Sequence, residues 1–359
     1  MAALIIGLVI VAVLAERWSL LNALRGVEYD VHPDRSLVEI GEKFQVITEL
    51  RNRSRRFIPF LRMVEDLPRD METGLVTTQG ATLKEDRVNV RSTVYLMPRQ
   101  QLTRSFEASL PARGRYFLKG ATLFGGDFLG LKEVSESVLR LQEIVVLPAR
   151  WDVPDFADTL GGFLGDVSVN RFILEDPVLT LGFREYTGRE PQKMISWPQT
   201  LRTGKMMVKS YDYTMELSVS VVLNVYDVDG LIRNHARMER AFSMTRGVVE
   251  ALEERAVSYS FYTNAVAAGA SAPFKHIPDG LGSAHRSAIL EGLGRATYDA
   301  SESFAAMADR LMRGAEKGRA HILITTTCPD EYGPILSRLR EMTGGEVLVL
   351  RADEGEASE

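Results

Sequence analysis

The sequence predicts a multidomain chain: an N-terminal hydrophobic helix, an antiparallel immunoglobulin-like β-sandwich, then an α/β doubly wound domain. Three observations carry this reading. Met1–Ala15 contains no charged side chain. From Val27 to Pro148 short runs alternate apolar and polar residues between turn formers, the period of strands with one buried face. Beyond residue 216, near-continuous apolar runs alternate with helical spacing, as in a mainly parallel sheet covered on both faces. The predicted boundaries are 1–24 for the hydrophobic helix and its flank and 25–150 for the sandwich. A connecting segment at 151–215, the α/β domain at 216–352 and an acidic tail at 353–359 complete the chain.

MAALIIGLVIVAVLA, as a helix, spans about 22 Å at 1.5 Å per residue, short of a hydrocarbon core of about 30 Å. Continuing through Trp18, Leu20 and Leu21 brings it near that length, and Trp18 suits the headgroup zone. Three readings stand: a single-pass anchor, which is preferred; a cleaved signal ending at Val13-Leu14-Ala15 but lacking a basic start; and a truncated span. Arg17 and Arg25 lie on the C-terminal side of the span, which places the rest of the chain in the cytoplasm.

In the sandwich region VEYDVHP, SLVEIGEKFQVITELRNRS, RVNVRSTVYLMP, QLTRSFEASLPARGRYFLKGATLFGGD and LRLQEIVVLP read as strands and hairpins. Phe44, Val46, Thr48 and Leu50 fall on one face, with Gln45, Ile47, Glu49 and Arg51 on the other. Gly41-Glu42, Asn52-Arg53, Pro111 and Gly125-Gly126 serve as turns. Asp127 follows two glycines and reads as a turn aspartate, since no carboxylates cluster around it.

Residues 149–180 read as a loop-rich connection. Leu217–Val225 is an apolar strand, and Asn234–Ala256 a helix with Met238, Ala241, Phe242, Val248, Val249 and Leu252 at helical spacing. Further strands are expected at Val257–Val266, His321–Thr326 and Glu346–Arg351. Helices are expected at Ser283–Tyr298, Ser303–Arg313 and Tyr332–Met342. Ligands of such sheets sit at the carboxyl ends of the strands, here Asn224 to Gly230. Neither G-x-x-x-x-G-K-[ST] nor G-x-G-x-x-G follows a strand, so nucleotide binding has no motif.

Between the two regions lies Gly182–Tyr213, where Arg184, Arg189, Lys193, Arg202, Lys205 and Lys209 interleave with Trp197 and four other aromatics. No simple helix or strand period explains it. The preferred reading is structural: Arg184, Arg202 and Lys209 pair with carboxylates, and Trp197 packs between sandwich and sheet. The alternative is a docking surface, because Trp, Tyr and Arg dominate interface hot spots.

Bulk composition narrows the classes. At 359 residues, 45% hydrophobic and 25% charged, the chain can bury two cores and is not broadly disordered. A net charge of -5 argues against a dedicated nucleic-acid binder. Cys328 is the single cysteine, which excludes an intrachain disulfide and fits a small apolar residue at a strand end. His32, His235, His276, His285 and His321 stand apart in sequence, without a metal or nucleophile motif. No enzyme is therefore predicted, and no cofactor.

Ala15-Glu16-Arg17-Trp18, Gly41-Glu42, Asn52-Arg53-Ser54, Glu65-Asp66-Leu67-Pro68 (read as a turn), Arg113-Gly114-Arg115-Tyr116, Asp127-Phe128-Leu129-Gly130-Leu131 and Val145-Val146-Leu147-Pro148 occur in this order. With the basic segment, they resemble the bacterial domain-of-unknown-function fifty-eight family. Its members are membrane-linked proteins with a β-sandwich and a von Willebrand A-like domain. The family hallmark runs roughly R-x-Y-x-x-G-D-x-x-R-x-I-x-W-x-x-S-A-R-x-x-x-L-x-V-R-x-Y. Arg184, Tyr186, Ile195, Trp197, Arg202, Val208 and Tyr211 agree with it. Arg189-Glu190 replaces Gly-Asp, Lys193 replaces Arg, and Thr200-Leu201 replaces Ser-Ala. The hallmark or interaction set is thus Arg184, Tyr186, Glu190, Lys193, Trp197, Arg202, Lys209 and Tyr211. The resemblance also implies a D-x-S-x-S metal motif, which is degenerate here: Asn224, Tyr226 and Val228 stand at the ligand positions. Thr325-Thr326-Thr327 lacks the later Asp. Too few hard oxygen ligands remain for Mg²⁺, unless Asp227 and Asp229 entered through a register slip, so no metal is predicted.

What the resemblance implies is a non-enzymatic, membrane-anchored adaptor of the bacterial inner membrane, partnered with a MoxR-type AAA+ ATPase. The alternatives are an envelope-associated enzyme accessory and a metal-dependent adhesion-type binding protein.

Overall fold

The computed structural model describes residues 17–18, 20–73, 82–84, 87–126, 132–151, 154–171, 180–188, 192–211, 218–226, 234–269, 274–314 and 316–353. Met1–Ala15, Asp127, the register-slip candidates Asp227 and Asp229, Val228, Glu190 and nearly all of the acidic tail lie outside them. Among the described residues, no helix is long and apolar enough to cross a membrane. The chain divides into two compact units, 1–149 with 290–296, and 150–289 with 297–359.

Two sheets face each other in the first unit. One has the order β1 (Val27–Pro33), β3 (Phe44–Asn52), β8 (Gln101–Ser109) and β5 (Glu72–Thr73). The other runs β2 (Leu37–Val38), β10 (Glu133–Val146), β9 (Gly114–Gly126), β4 (Ile58–Pro68), β7 (Arg87–Leu96) and β6 (Thr82–Lys84). Every pairing is antiparallel except β2 with β10. The predicted alternation holds: Phe44, Val46, Thr48 and Leu50 are buried, while Gln45, Ile47 and Glu49 are half-buried and Arg51 is exposed. Tyr29, Phe44, Val46, Leu61, Met63, Leu123 and Ile144 join in the shared core, where each large apolar side chain contributes roughly 1.5–3 kcal/mol. Gly120 holds a positive φ of 106°, where a Cβ would strike the Val138 carbonyl. It opens the irregularity between Leu139 and Gln142 on the neighbouring strand, so a side chain there is excluded by geometry.

Two predicted turns are corrected, and the first, Gly125-Gly126, is paired within β9. Glu65–Pro68 lies inside β4, not at a corner. Glu65 is buried because the opposite sheet satisfies it: Thr48 Oγ1 donates to Glu65 Oε1 at 2.7 Å and Tyr29 OH donates at 3.3 Å, while Arg104 pairs with the other oxygen. Burial and the adjacent Glu65 carboxylate push the Tyr29 phenol well above its ordinary pKa. A buried carboxylate survives only with such partners.

The second unit begins with a further correction, because the expected loop 149–180 contains helix α1 (Pro154–Arg171). Leu160, Leu164 and Val167 are buried on it, an i, i+4, i+7 stripe. Gly161, Gly162 and Gly165 dilute that signal in the sequence. A hairpin of β11 (Thr180–Glu185) and β12 (Met207–Tyr211) follows, with a 3-10 turn (Gln192–Met194) and helix α2 (Trp197–Thr203) between its strands. The hallmark segment is therefore an element of this unit.

The main sheet has the order β16 (His276–Gly280), β14 (Ser258–Thr263), β13 (Ser218–Asn224), β18 (Ala320–Thr325), β19 (Val347–Arg351). All its neighbours are parallel except β16 against β14, the mainly parallel sheet expected from the apolar runs. A two-stranded pair, β15 (Ala265–Ala267) with β17 (Ala296–Ala300), accompanies it. The predicted strand Val257–Val266 is thus two strands broken at Asn264, and the predicted helix Ser283–Tyr298 stops at Arg295.

Helix α3 (His235–Glu254) starts where Asn234 accepts a hydrogen bond from the Arg237 amide at 3.1 Å, an N-cap worth about 1 kcal/mol. It buries Met238, Ala241, Phe242, Val248, Val249 and Leu252 as the spacing predicts. Helix α4 is Ser283–Arg295, α5 Phe304–Gly314 and α6 Tyr332–Thr343. Phe304, Met307 and Leu311 of α5 join Tyr332, Leu336 and Leu339 of α6 over Val222 and Leu323 of the sheet.

Candidate functional site

The strand order changes direction about β13, so its carboxyl end beside β18 is where a sheet of this kind forms a crevice. Asn224 ends β13 there, fully buried. Its Nδ2 donates to Thr325 Oγ1 at 3.0 Å and to Tyr332 OH at 3.3 Å. Its Oδ1 accepts from Asn264 Nδ2 at 2.7 Å and from the Tyr226 amide at 3.1 Å. Asn264 Oδ1 accepts from the Val225 amide at 2.9 Å, and Thr325 Oγ1 donates to the Thr327 carbonyl at 2.6 Å.

The cluster is neutral, and both ends of the Asn224 amide are engaged within the protein. A divalent cation would need anionic oxygens with free lone pairs, which these amides and hydroxyls do not supply. Tyr226, the second predicted ligand position, is half-exposed and presents a phenol; the third, Val228, lies outside the described residues. Among the described residues, no group of three His, Cys, Asp or Glu side chains is placed to hold a metal. Sequence reasoning missed Asn264, the principal partner of Asn224; the available signal was a second Asn at the carboxyl end of a neighbouring strand.

The histidines make separate contacts. His235 stacks on Tyr298, His276 on Tyr262, and His285 meets the edge of Tyr259. His32 lies 3.9 Å from Asp30 at the surface. His321 is buried in β18 with neither ring nitrogen hydrogen-bonded among the described residues, and burial with the nearby Arg319 charge lowers its pKa to about 4.

The β11–β12 hairpin is built differently. Arg184 pairs with Val208, Phe183 with Lys209, and Glu185 with Met207. Alternation puts Val208 on the face opposite Met207 and Lys209. Val208 is buried and bridges to Ile195, so the turn before α2 covers that face. Pro198 lies within the first turn of α2, and Gly204 closes the helix at φ 71°, the left-handed C-cap that glycine favours. Thr200 fastens it further: its hydroxyl donates to the Ser196 carbonyl at 2.9 Å and accepts from the Met207 amide at 3.0 Å. The Ser196 amide donates to the Met207 carbonyl at 2.8 Å. This bond ties the start of the helix to the hairpin, and one from the Tyr186 amide to the Met206 carbonyl at 2.8 Å extends the hairpin itself.

On this braced scaffold Trp197 is 62% exposed and Leu201 85% exposed. They are four residues apart on one helix and so share a face. Within this unit the bracing is done by Ser196, Thr200 and Val208, which leaves the indole outside. Phe183 and Met206 are also exposed. The cations of the segment differ in their surroundings. Lys205 pairs with Glu185 at 2.5 Å, which holds the Lys205 amine above its ordinary pKa. Arg202 and Lys209 have no carboxylate partner among the described residues, and Lys193 is exposed on the 3-10 turn. Arg184 is exposed on β11 and Tyr186 half-buried just beyond it, while Tyr211 ends β12 opposite Thr180. Sequence reasoning did not single out Phe183 or Met206, although Trp197 and Leu201 at helical spacing were a usable sign of a shared face.

No protein-family model matches the chain, and no curated relative does. Solved structures resemble about a third of it. The CARDB domain of the PF1109 protein from Pyrococcus furiosus is 10% identical, with 33% of this chain and 91% of that one covered and a TM-score of 0.23. A non-cellulosomal cohesin from Archaeoglobus fulgidus is 11% identical over 33% and 91% of the two chains, with a TM-score of 0.24. A type II cohesin domain from Acetivibrio cellulolyticus is 13% identical over 33% and 94%, with a TM-score of 0.23.

Proposed function

We propose that the chain is a non-enzymatic, membrane-anchored adaptor of the bacterial inner membrane, with its folded units in the cytoplasm. In this reading the second unit is a degenerate von Willebrand A-like domain, and the partner is a MoxR-type AAA+ ATPase. The observation that carries the interaction role is the exposure of Trp197 and Leu201 on a helix braced by Ser196 and Thr200. Aromatic and aliphatic side chains held out on a rigid frame, rimmed by Lys193, Arg202 and Lys205, have the composition of an interface anchor. The von Willebrand A-like assignment draws support from the sheet order, in which the first strand of the main sheet lies centrally and the third runs antiparallel at the edge. The neutral Asn224–Asn264 cluster supports a domain that works without a metal.

The test is capture from detergent-solubilised bacterial membranes with the full chain as bait, followed by titration of the purified ATPase. Trp197→Ala with Leu201→Ala should weaken binding about 30-fold, as a loss of about 2 kcal/mol at a hot spot does, with the circular dichroism spectrum unchanged. Equal binding by wild type and variant would remove the surface from the proposal. Failure of wild type to bind the ATPase would remove the partner.

A further inference from the structure

One end of the sandwich carries a second exposed apolar surface, remote in sequence from Trp197. Trp18 and Asn22 line a cleft with Arg56, Phe57, Ile58 and Pro59. Phe57 meets Tyr95 with ring centroids 6.3 Å apart, and Arg56 lies 5.5 Å from the centre of the Trp18 ring. Leu21 is 80% exposed, Tyr95 61% and Met97 52%.

Buried Asn52 holds the loops that carry this rim. Its Nδ2 donates to the Arg56 carbonyl at 2.7 Å and to the Met97 carbonyl at 2.9 Å. Its Oδ1 accepts from the Ser54 amide and hydroxyl at 3.0 and 2.7 Å. The Arg99 amide donates to the Ser54 carbonyl at 3.1 Å, and the Arg53 amide to the Gly26 carbonyl at 2.7 Å. Residues 17–18, 20–26, 53–59 and 95–99 therefore form one built rim.

Its charge has one sign. Arg17, Arg25, Arg55 and Arg99 are exposed and have no carboxylate partner among the described residues. Arg53 is the rim arginine with an ion pair, to Glu28 at 2.7 Å. Aromatic rings beside unpaired arginines suit a bilayer interface, where rings sit at headgroup depth and guanidinium groups meet lipid phosphates. The sequence running into the rim, Met1–Ala15, has no charged side chain.

We propose that this rim seats the sandwich on an anionic phospholipid surface. The proposal extends the membrane-anchored reading above, and adds that the folded unit itself touches the headgroups. Arg17, Arg25, Arg55 and Arg99 recognise lipid phosphate, while Trp18, Phe57 and Tyr95 enter the headgroup zone.

Full-chain protein is mixed with phosphatidylcholine vesicles, with or without phosphatidylglycerol, and followed by flotation and by hydrogen exchange of residues 53–57 and 95–99. The expected result is slower exchange of both loops on phosphatidylglycerol vesicles. Arg55→Gln and Arg99→Gln should each weaken that protection about fivefold, about 1 kcal/mol per arginine. Tyr95→Ser provides an independent variant, and exchange in the sandwich strands verifies its folding. Flotation with both vesicle types but no difference in loop exchange overturns the docking and leaves the anchor intact. Flotation with phosphatidylglycerol vesicles alone, sensitive to the arginine changes, upholds the docking and removes the anchor. Flotation with neither overturns both.

Discussion

Acidification should loosen the second unit through His321. The side chain is fully buried, neither ring nitrogen has a hydrogen-bond partner among the described residues, and Arg319 is the nearby charge that opposes a second cation. In the folded chain its pKa falls from 6.5 to about 4. The sign follows from proton counting. Between these values the unfolded chain binds a proton that the folded chain refuses, so stability rises with pH across the window. It is fully present above the unfolded value and is lost as pH falls towards the folded one. At about 1.4 kcal/mol per tenfold change in proton affinity, the full effect is about 3 kcal/mol, most of it expressed by about pH 4.5. His321→Leu removes the titrating group and two unsatisfied nitrogens together, so it should be neutral or mildly stabilising near pH 7. The assay is native-state hydrogen exchange of Ala320–Thr325, which reads this unit separately from the sandwich. Wild type should lose about 3 kcal/mol more protection than His321→Leu on acidification. Parallel profiles for the two proteins would refute the argument.

Glu65→Ala should destabilise the sandwich by about 3 kcal/mol, because it strands Arg104, Thr48 and Tyr29; replacing Glu65 and Arg104 together by Leu should cost much less in urea unfolding of the same unit. Asn224→Asp should lower the melting temperature without creating stoichiometric Mg²⁺ binding by calorimetry, since it puts a buried anionic oxygen in place of the Nδ2 that donates to Thr325 Oγ1, whose own proton goes to the Thr327 carbonyl, and leaves Tyr226 unable to act as a serine ligand. Trp197→Ala and Leu201→Ala should each change stability by less than about 0.5 kcal/mol in thermal melts, because both side chains project into solvent.

The strands at Phe44–Asn52 and Ser218–Asn224 were legible because their periods differ: one alternates, the other is apolar throughout. Helix α3 announced itself by its spacing and by Asn234 at its cap. Strand β4 hid behind Pro59, Glu65 and Pro68, residues that speak for turns unless the opposite sheet is known to satisfy the carboxylate. Helix α1 hid behind three glycines, although Leu160, Leu164 and Val167 held the helical interval. At the candidate site the sequence located the carboxyl end of β13 and Asn224 there. It did not reveal Asn264, 40 residues away, because a side-chain hydrogen bond across strands leaves no local pattern. The exposure of Trp197 within its own unit was not legible either, since only the bracing by Ser196 and Thr200 decides which way the ring faces.

The bonds around Glu65 have a mechanical side. Tension applied to the chain before Val27 enters the sandwich through β1, an edge strand whose sheet neighbour is β3. Tyr29 sits near the start of that strand and reaches across the core to Glu65 on the other sheet. Peeling β1 therefore breaks a cross-core bond as well as its ladder, and begins to uncover a carboxylate shared with Thr48 on β3 and Arg104 on β8. The load is spread over both sheets from the first residues pulled.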